Sequence, residues 1–454
     1  MSMDKATQEK FAMFYGMTNA LGDLYEAVKI PDEERVANAK KVFVEKLSAG
    51  MAIALESCIH CGICAEACHY YVGTNDPKYT PIHKLDLLKR VYRREISPLR
   101  WVHRLYTPDI TADDLREWQP LVYDSCTECG RCSMVCPMGI NIADMVGLNR
   151  EAMAQAGLIP AELQVMQQGQ FEKGTIFEAD VEMLEYKVKE VSDQLGFEVP
   201  VDQPSAEVMV LTSGLDIMLF NDALAGTAKI LHHMGVPWSF CTHGYEGANF
   251  GLLSGHEDTQ RKAATQIINT AAACGTKVII TPECGHAFPA LRWYGAEMVG
   301  HALPFEVMSI SEYLGKAVME GRLKLRKADK PKVVALHDPC KIGRMGGSFE
   351  EARALLQALG LELHETASNH QYNYCCGGGA GVFLIKNAAE LRQKAYEVKM
   401  GEVRATGAEA LVVSCGSCRL NFETGKMKAH DTIDIDSLVA LVAEHLEQAP
   451  AAAA

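Results

Sequence analysis

The sequence predicts an α+β chain of several domains, in which a helical domain leads into an α/β domain built from two related repeats. Three observations carry this reading. Paired cysteine modules stand before residue 140, helical patterns surround them, and after residue 200 an alternation of apolar strand and amphipathic helix occurs twice. With 454 residues, 48% of them hydrophobic, the chain can form about three ordinary domains with buried cores. The net charge of −14 argues against nucleic acid as a partner, because phosphate binding needs basic patches. The start, MSMDKATQEKF, lacks the apolar stretch of a secretory signal, and no run of 18 apolar residues occurs, so the expected location is cytoplasmic. Sixteen cysteines in that reducing compartment point to metal or redox chemistry rather than to structural disulfides.

Five segments follow in order. Residues 1–50 form an N-terminal helical extension and 51–200 a helical two-cluster domain, with a boundary near Pro200 to Pro204. Residues 201–330 and 331–430 are the two repeats, and 431–454 a C-terminal helix with a flexible APAAAA tail. Within the helical domain, HKLDLLKRVYRRE, TADDLREWQ, MVGLNREAMAQAG and FEADVEMLEYKVKEVSDQLG read as helices, the third stopped by Gly157 and Pro160. In the repeats, VMVLTSG matches VVALHDP, DALAGTAKILHHMG matches EEARALLQALG, SFCTHG matches NYCCGG, and GTKVIITPEC matches GAEALVVSCGSC. Strand–helix alternation argues for parallel sheets whose carboxyl-end loops gather into a crevice.

SCIHCGICAEACHY and SCTECGRCSMVCPM each carry Cys-x2-Cys-x2-Cys-x3-Cys. At this spacing three thiolates wrap one cubane 4Fe-4S cluster while the fourth reaches the other. Cys58, Cys61, Cys64 and Cys136 are therefore assigned to one cubane, and Cys126, Cys129, Cys132 and Cys68 to the second. Structural zinc normally uses two well-separated Cys-x2-Cys pairs, so it fits less well. One departure stands out: Cys136 is followed by Pro137, but Cys68 by His69. The long spacer, residues 69–125, suggests a helical ferredoxin-like domain rather than a compact β-rich one.

In the second repeat, Cys340, Cys375, Cys376, Cys415 and Cys418 fall in three loops. Five convergent thiols exceed the four ligands of a mononuclear zinc, and adjacent cysteines more easily ligate different irons of one cluster. Gly377 to Gly379 leave room for such a group and free their N–H groups to hydrogen-bond its sulfurs. GGGAGVFLIKN supplies neither a GxxxxGK[ST] nor a GxGxxG phosphate loop, and a vicinal disulfide would leave three cysteines unexplained.

HDPCKIGR, CCGGGAG and CGSC, repeated in degenerate form upstream and preceded by the two cysteine modules, resemble the heterodisulfide reductase catalytic subunits. The resemblance covers roughly residues 50–425 and looks like the fused form, with ferredoxin and CCG domains on one chain; it extends to the catalytic iron–sulfur subunit of the sulfite-reductase-associated Dsr membrane complex. It implies an α/β CCG domain of two Rossmann-like repeats, and a noncubane 4Fe-4S cluster held by Cys340, Cys375, Cys376, Cys415 and Cys418 with Gly377 and Gly378 against it. It also implies a disulfide/thiol oxidoreductase in sulfur metabolism.

In the first repeat only Cys241 and Cys284 remain near the expected crevice, with Cys274 taken as a buried helix-end residue. A second noncubane cluster is therefore not expected. CTHG and ECGH place His243 and His286 beside Cys241 and Cys284, as candidates to bind substrate and supply protons or, alternatively, as hydrogen-bonded structural residues. With no flavin or haem motif of its own, the chain is expected to need other redox subunits, membrane quinone-linked or flavin-bearing, and to act on a disulfide or a small sulfur-carrier protein. Through such a subunit it would associate with the inner face of the membrane. Residues 8–55 and IDIDSLVALVAEHLEQ are candidate docking surfaces or caps on the core. The competing reading is an electron-transfer subunit of a flavin-dependent glycolate, lactate or glycerol-3-phosphate dehydrogenase; a scaffold whose clusters only hold the fold together fits tandem modules poorly.

Overall fold

The computed structural model describes residues 5–25, 28–177 and 179–447, so the APAAAA tail lies outside the described residues. The helical part opens with Lys5–Asp23 and Asp32–Lys46, whose Phe11, Phe14, Ala39 and Phe43 enter the core of the cysteine-bearing domain. These helices therefore cap that core. The spacer is helical as expected: Ala112–Val122 begins with a Thr111/Asp114 capping box, and Ile142–Gln155 buries Met145, Val146, Arg150 and Met153. Reciprocal bonding of the Thr111 side chain and the Asp114 carboxylate satisfies two backbone donors that a helix start would otherwise leave unpaired.

Eight strands form two four-stranded parallel sheets. The first contains β1 (Val208–Val210), β2 (Trp238–Phe240), β3 (Val278–Thr281) and β4 (Glu306–Ser309), in the order β2-β1-β3-β4. The second contains β5 (Val333–Leu336), β6 (Glu362–Leu363), β7 (Ala410–Val413) and β8 (Asp434–Ser437), in the equivalent order β6-β5-β7-β8. Val208 pairs with Trp238 and Val278, and Val334 with Ala410, so each first strand is central and reads as an uninterrupted apolar run. Val208, Val210, Ile280, Val334, Leu336, Ala410 and Val412 share one core, so the two sheets are packed together through their helical layers.

Two segments differ from the expected division. IDIDS was expected in a C-terminal helix, but Asp434–Ser437 is the edge strand β8, and only Leu438–Glu444 after it is helical. The alternating Ile and Asp side chains form a half-buried strand. The helix Val181–Leu195, assigned with the cysteine modules, puts Leu184, Val188 and Val191 into the core of the sheets.

Candidate iron–sulfur site

Both N-terminal modules fold as a turn through a left-handed glycine into a short helix. Gly62 (φ 81°) precedes Ile63–Ala67, and Gly130 (φ 73°) precedes Arg131–Met134. This turn brings spaced thiols toward one point, and the sets cross between modules. One cavity is lined by Cys58, Cys61, Cys64 and Cys136, and another by Cys68, Cys126, Cys129 and Cys132. Four thiols lining one cavity fit a cubane cluster by donor set. Cys61 is exposed and the other seven are half-buried.

The five C-terminal thiols also meet, and all are buried. Cys340 follows β5 and Cys415 follows β7, at the carboxyl ends of adjacent strands, while Cys418 stands one turn into the helix Gly416–Ala429. Cys375 interacts with Cys340 and Cys376, and Cys418 with Cys376 and Cys415. Gly377 N–H approaches Cys375 Sγ and Gly378 N–H approaches Cys376 Sγ, both at 3.4 Å. At Gly377 (φ 93°) a Cβ would lie 2.4 Å from the Ala395 Cβ, so this glycine is required by both backbone conformation and contact. A buried five-thiol set with backbone donors aimed at its sulfurs fits a multinuclear iron–sulfur group better than a single ion.

Polar side chains hold the loop from outside. Asn421 Nδ2 donates to Cys376 O at 2.6 Å, and Tyr70 Oη to Gly377 O at 2.9 Å. Arg344 donates to the carbonyls of Gln371, Cys129 and Asn373, fastening the ferredoxin module to the strand-end loops. The modules touch directly at the thiols: Cys375 interacts with Cys129 and lies 3.3 Å from the Thr127 hydroxyl.

The two histidines part company. His286 reaches the site, but its Nε2 accepts the Ala380 N–H at 2.7 Å, and burial pushes its pKa down to about 3. Its occupied Nε2 holds the glycine loop, and burial favours the neutral ring. His243 is exposed and bonds to Thr242, whose hydroxyl in turn donates to Asp202. The structure does not bring it to the five thiols. Cys241 likewise is buried in a separate core with Ile267 and Ile279, and Cys274 is half-buried.

The physical reason is a shift in the repeat correspondence. Cys241 directly follows β2, whereas Cys375 comes well after β6, beyond the turn His370–Tyr372. It is Tyr245-Glu246-Gly247 that runs beside the β1 loop: Thr212 N–H donates to Tyr245 O at 2.9 Å and Gly247 N–H to Thr212 O at 2.8 Å. In the second repeat the segment before Tyr374 reaches the loop after β5 through a side chain, Asn373 Nδ2 donating to Asp338 O at 2.8 Å. Matching Tyr245 to Tyr374 places Glu246 where the second repeat has cysteine. Glu246 is buried, its Oε2 has no partner among the described residues, and desolvation pushes its pKa up to about 8. Cys284 and Gly285 do approach the site, a Cβ on Gly285 lying 3.2 Å from Cys415 Sγ.

Residues 57–141 match the 4Fe-4S dicluster domain family and residues 334–423 a family described as a cysteine-rich domain, CCG. Over 88% of its length the chain is 24% identical to the Hdr-like menaquinol oxidoreductase iron-sulfur subunit 2 of Archaeoglobus fulgidus, covering 81% of that protein. It is 27% identical, over 88% of its own length and 96% of the relative, to a component of the dihydromethanophenazine:CoB–CoM heterodisulfide reductase of Methanosarcina acetivorans. The glycolate oxidase iron-sulfur subunit of Escherichia coli is 21% identical over 84% of this chain and 93% of that one.

Proposed function

This chain is a heterodisulfide reductase-like iron–sulfur protein with ferredoxin and CCG modules on one polypeptide, and from that premise we propose that it reduces a disulfide or trisulfide, or oxidises the corresponding thiols, at its five-thiol site. Electrons would pass from the cubane site at Cys58, Cys61, Cys64 and Cys136 to that at Cys126, Cys129, Cys132 and Cys68, and from there to Cys340, Cys375, Cys376, Cys415 and Cys418. Reduction of a disulfide takes two electrons and two protons, breaks one S–S bond and leaves two thiols. A noncubane 4Fe-4S cluster held by the five cysteines would supply iron for a substrate sulfur and storage for one electron until the next arrives. The observation that carries the reading is the contact of Cys129 with Cys375, which joins a ferredoxin-module thiol to the fully buried five-thiol set.

The chain's own residues then have definable tasks. Gly377 and Gly378 donate N–H bonds to ligand sulfurs, which lowers the cost of holding negative charge there. Asn421, Tyr70 and His286 fix the loop that carries them. Burial of all five thiols keeps water from the reacting sulfur. The name of the Archaeoglobus fulgidus relative, a menaquinol oxidoreductase subunit, supports a quinone-linked redox subunit as partner, through which this chain would sit at the inner face of the membrane; among the described residues no helix is long and apolar enough to cross it. Likeness to the glycolate oxidase iron-sulfur subunit favours a second reading, electron transfer to or from a flavin-dependent dehydrogenase.

The test is anaerobic EPR of the iron-loaded protein on addition of thiols under oxidising conditions. A new paramagnetic signal that disappears in Cys376→Ser supports disulfide chemistry at this site. No signal with any thiol, together with fast reduction by a flavin dehydrogenase, selects the second reading.

A further inference from the structure

His69 takes the place, after the fourth cysteine of its module, that Pro137 takes after Cys136, and nothing in disulfide reduction itself accounts for the difference. It begins the helix His69–Thr74 and is 2% exposed. Its ring lies 4.1 Å from that of Tyr70, the residue bonded to the carbonyl of Gly377. Neither Nδ1 nor Nε2 bonds to a nitrogen or oxygen atom among the described residues. A buried donor left unpaired costs about 1–3 kcal/mol, so an acceptor within reach is expected. Sulfur is what lies within reach: a ring nitrogen, Cys129 Sγ and Cys375 Sγ are all within 4.8 Å of one another.

We propose that His69 is the positioning residue of the junction between the second cubane site and the five-thiol site, its ring N–H donating to the Cys129/Cys375 sulfur pair. The proposal rests on the cluster assignments above. An N–H bond to a ligand sulfur spreads the negative charge that reduction adds, so it favours the reduced state and raises the potential. Across this junction one electron would leave the second cubane site, oxidising it by one, and reach the five-thiol site, reducing it by one. No bond is made or broken, and His69 keeps its proton. A proline at position 69 would offer no ring N–H. The other module's thiol set instead includes the exposed Cys61.

The experiment is a redox titration of the iron-loaded full chain followed by EPR, without substrate, on wild type, His69→Phe and His69→Asn. Phenylalanine fills the space without a donor, and asparagine restores an N–H. The expected result is a fall in the second cubane's midpoint by about 59 mV in His69→Phe, a tenfold change in a one-electron equilibrium constant. The first cubane should not move, and His69→Asn should recover at least half the shift. An unchanged second midpoint in His69→Phe overturns the proposal. So does iron loss in His69→Phe combined with a fully loaded His69→Asn whose midpoints are as far from wild type as those of a donor-free site, because the ring would then serve packing alone. A wild-type chain with about 8 irons would count against the five-thiol cluster, while the shift of the second cubane would still decide the bond to Cys129.

Discussion

Arg150 ties together the three regions that meet at the site, and its replacement is the most informative structural test. The residue is fully buried on the helix Ile142–Gln155. Its guanidinium donates to Val122 O at 2.9 Å, Cys126 O at 2.8 Å, Leu253 O at 2.6 Å, Ala380 O at 2.8 Å and Tyr123 O at 3.4 Å. These carbonyls belong to the ferredoxin module, the first repeat and the glycine loop of the second. At about 1.5–3 kcal/mol per bond to a charged group, simple addition over five bonds gives roughly 7–15 kcal/mol, comparable to the whole stability of a domain. Such bonds are not additive, and removing one member of a buried charged network typically costs about 3–5 kcal/mol. Arg150→Met keeps most of the volume and removes every donor, so a loss of about 3–5 kcal/mol is expected, with reduced iron at the second cubane and five-thiol sites. Arg150→Lys retains the charge and fewer bonds, and should fall between. Anaerobic denaturant unfolding and iron per chain measure both effects. A fully loaded Arg150→Met within about 1 kcal/mol of wild type would refute the reasoning.

Gly377→Ala imposes a left-handed backbone on a side-chain-bearing residue and drives its Cβ into Ala395, so it should cost at least about 2 kcal/mol and selectively lower iron at the five-thiol site, as read by EPR. Glu246 holds its proton in the folded chain up to about pH 8, against 4.5 for the ordinary carboxyl. Between those values the folded state binds more protons than the unfolded one, so stability falls as pH rises through this window, by up to about 4 kcal/mol. Glu246→Gln should flatten that slope in anaerobic melting curves from pH 5 to 8.5, and an unchanged slope would assign it to other groups. His243→Ala, at an exposed position away from the thiols, should leave turnover and EPR spectra as in wild type; a loss beyond about threefold would return His243 to the site.

The thirteen proposed ligands were legible because cluster ligation leaves its mark in local spacing, and because strand-end loops of parallel sheets converge. The crossing of Cys68 and Cys136 between modules agrees with the cavities, since each fourth thiol is carried past its own module's turn. Less was legible where loop length intervened. The short path from β2 to Tyr245 and the long one from β6 to Tyr374 hid the position of Glu246 and led to Cys241 and His243 instead. Arg150 gave no signal, because an arginine in an amphipathic helix reads as surface until its carbonyl acceptors are known. β8 was masked by the apolar run after it, although the period-two IDIDS carried the strand pattern.

Iron stoichiometry tests the five-thiol cluster most directly. Anaerobic iron and acid-labile sulfide analysis of the wild-type chain and Cys376→Ser should give about 12 and about 8 irons, with both cubane EPR signals retained in the variant. Equal iron in the two proteins, or about 8 in wild type, would contradict a cluster at the five-thiol site.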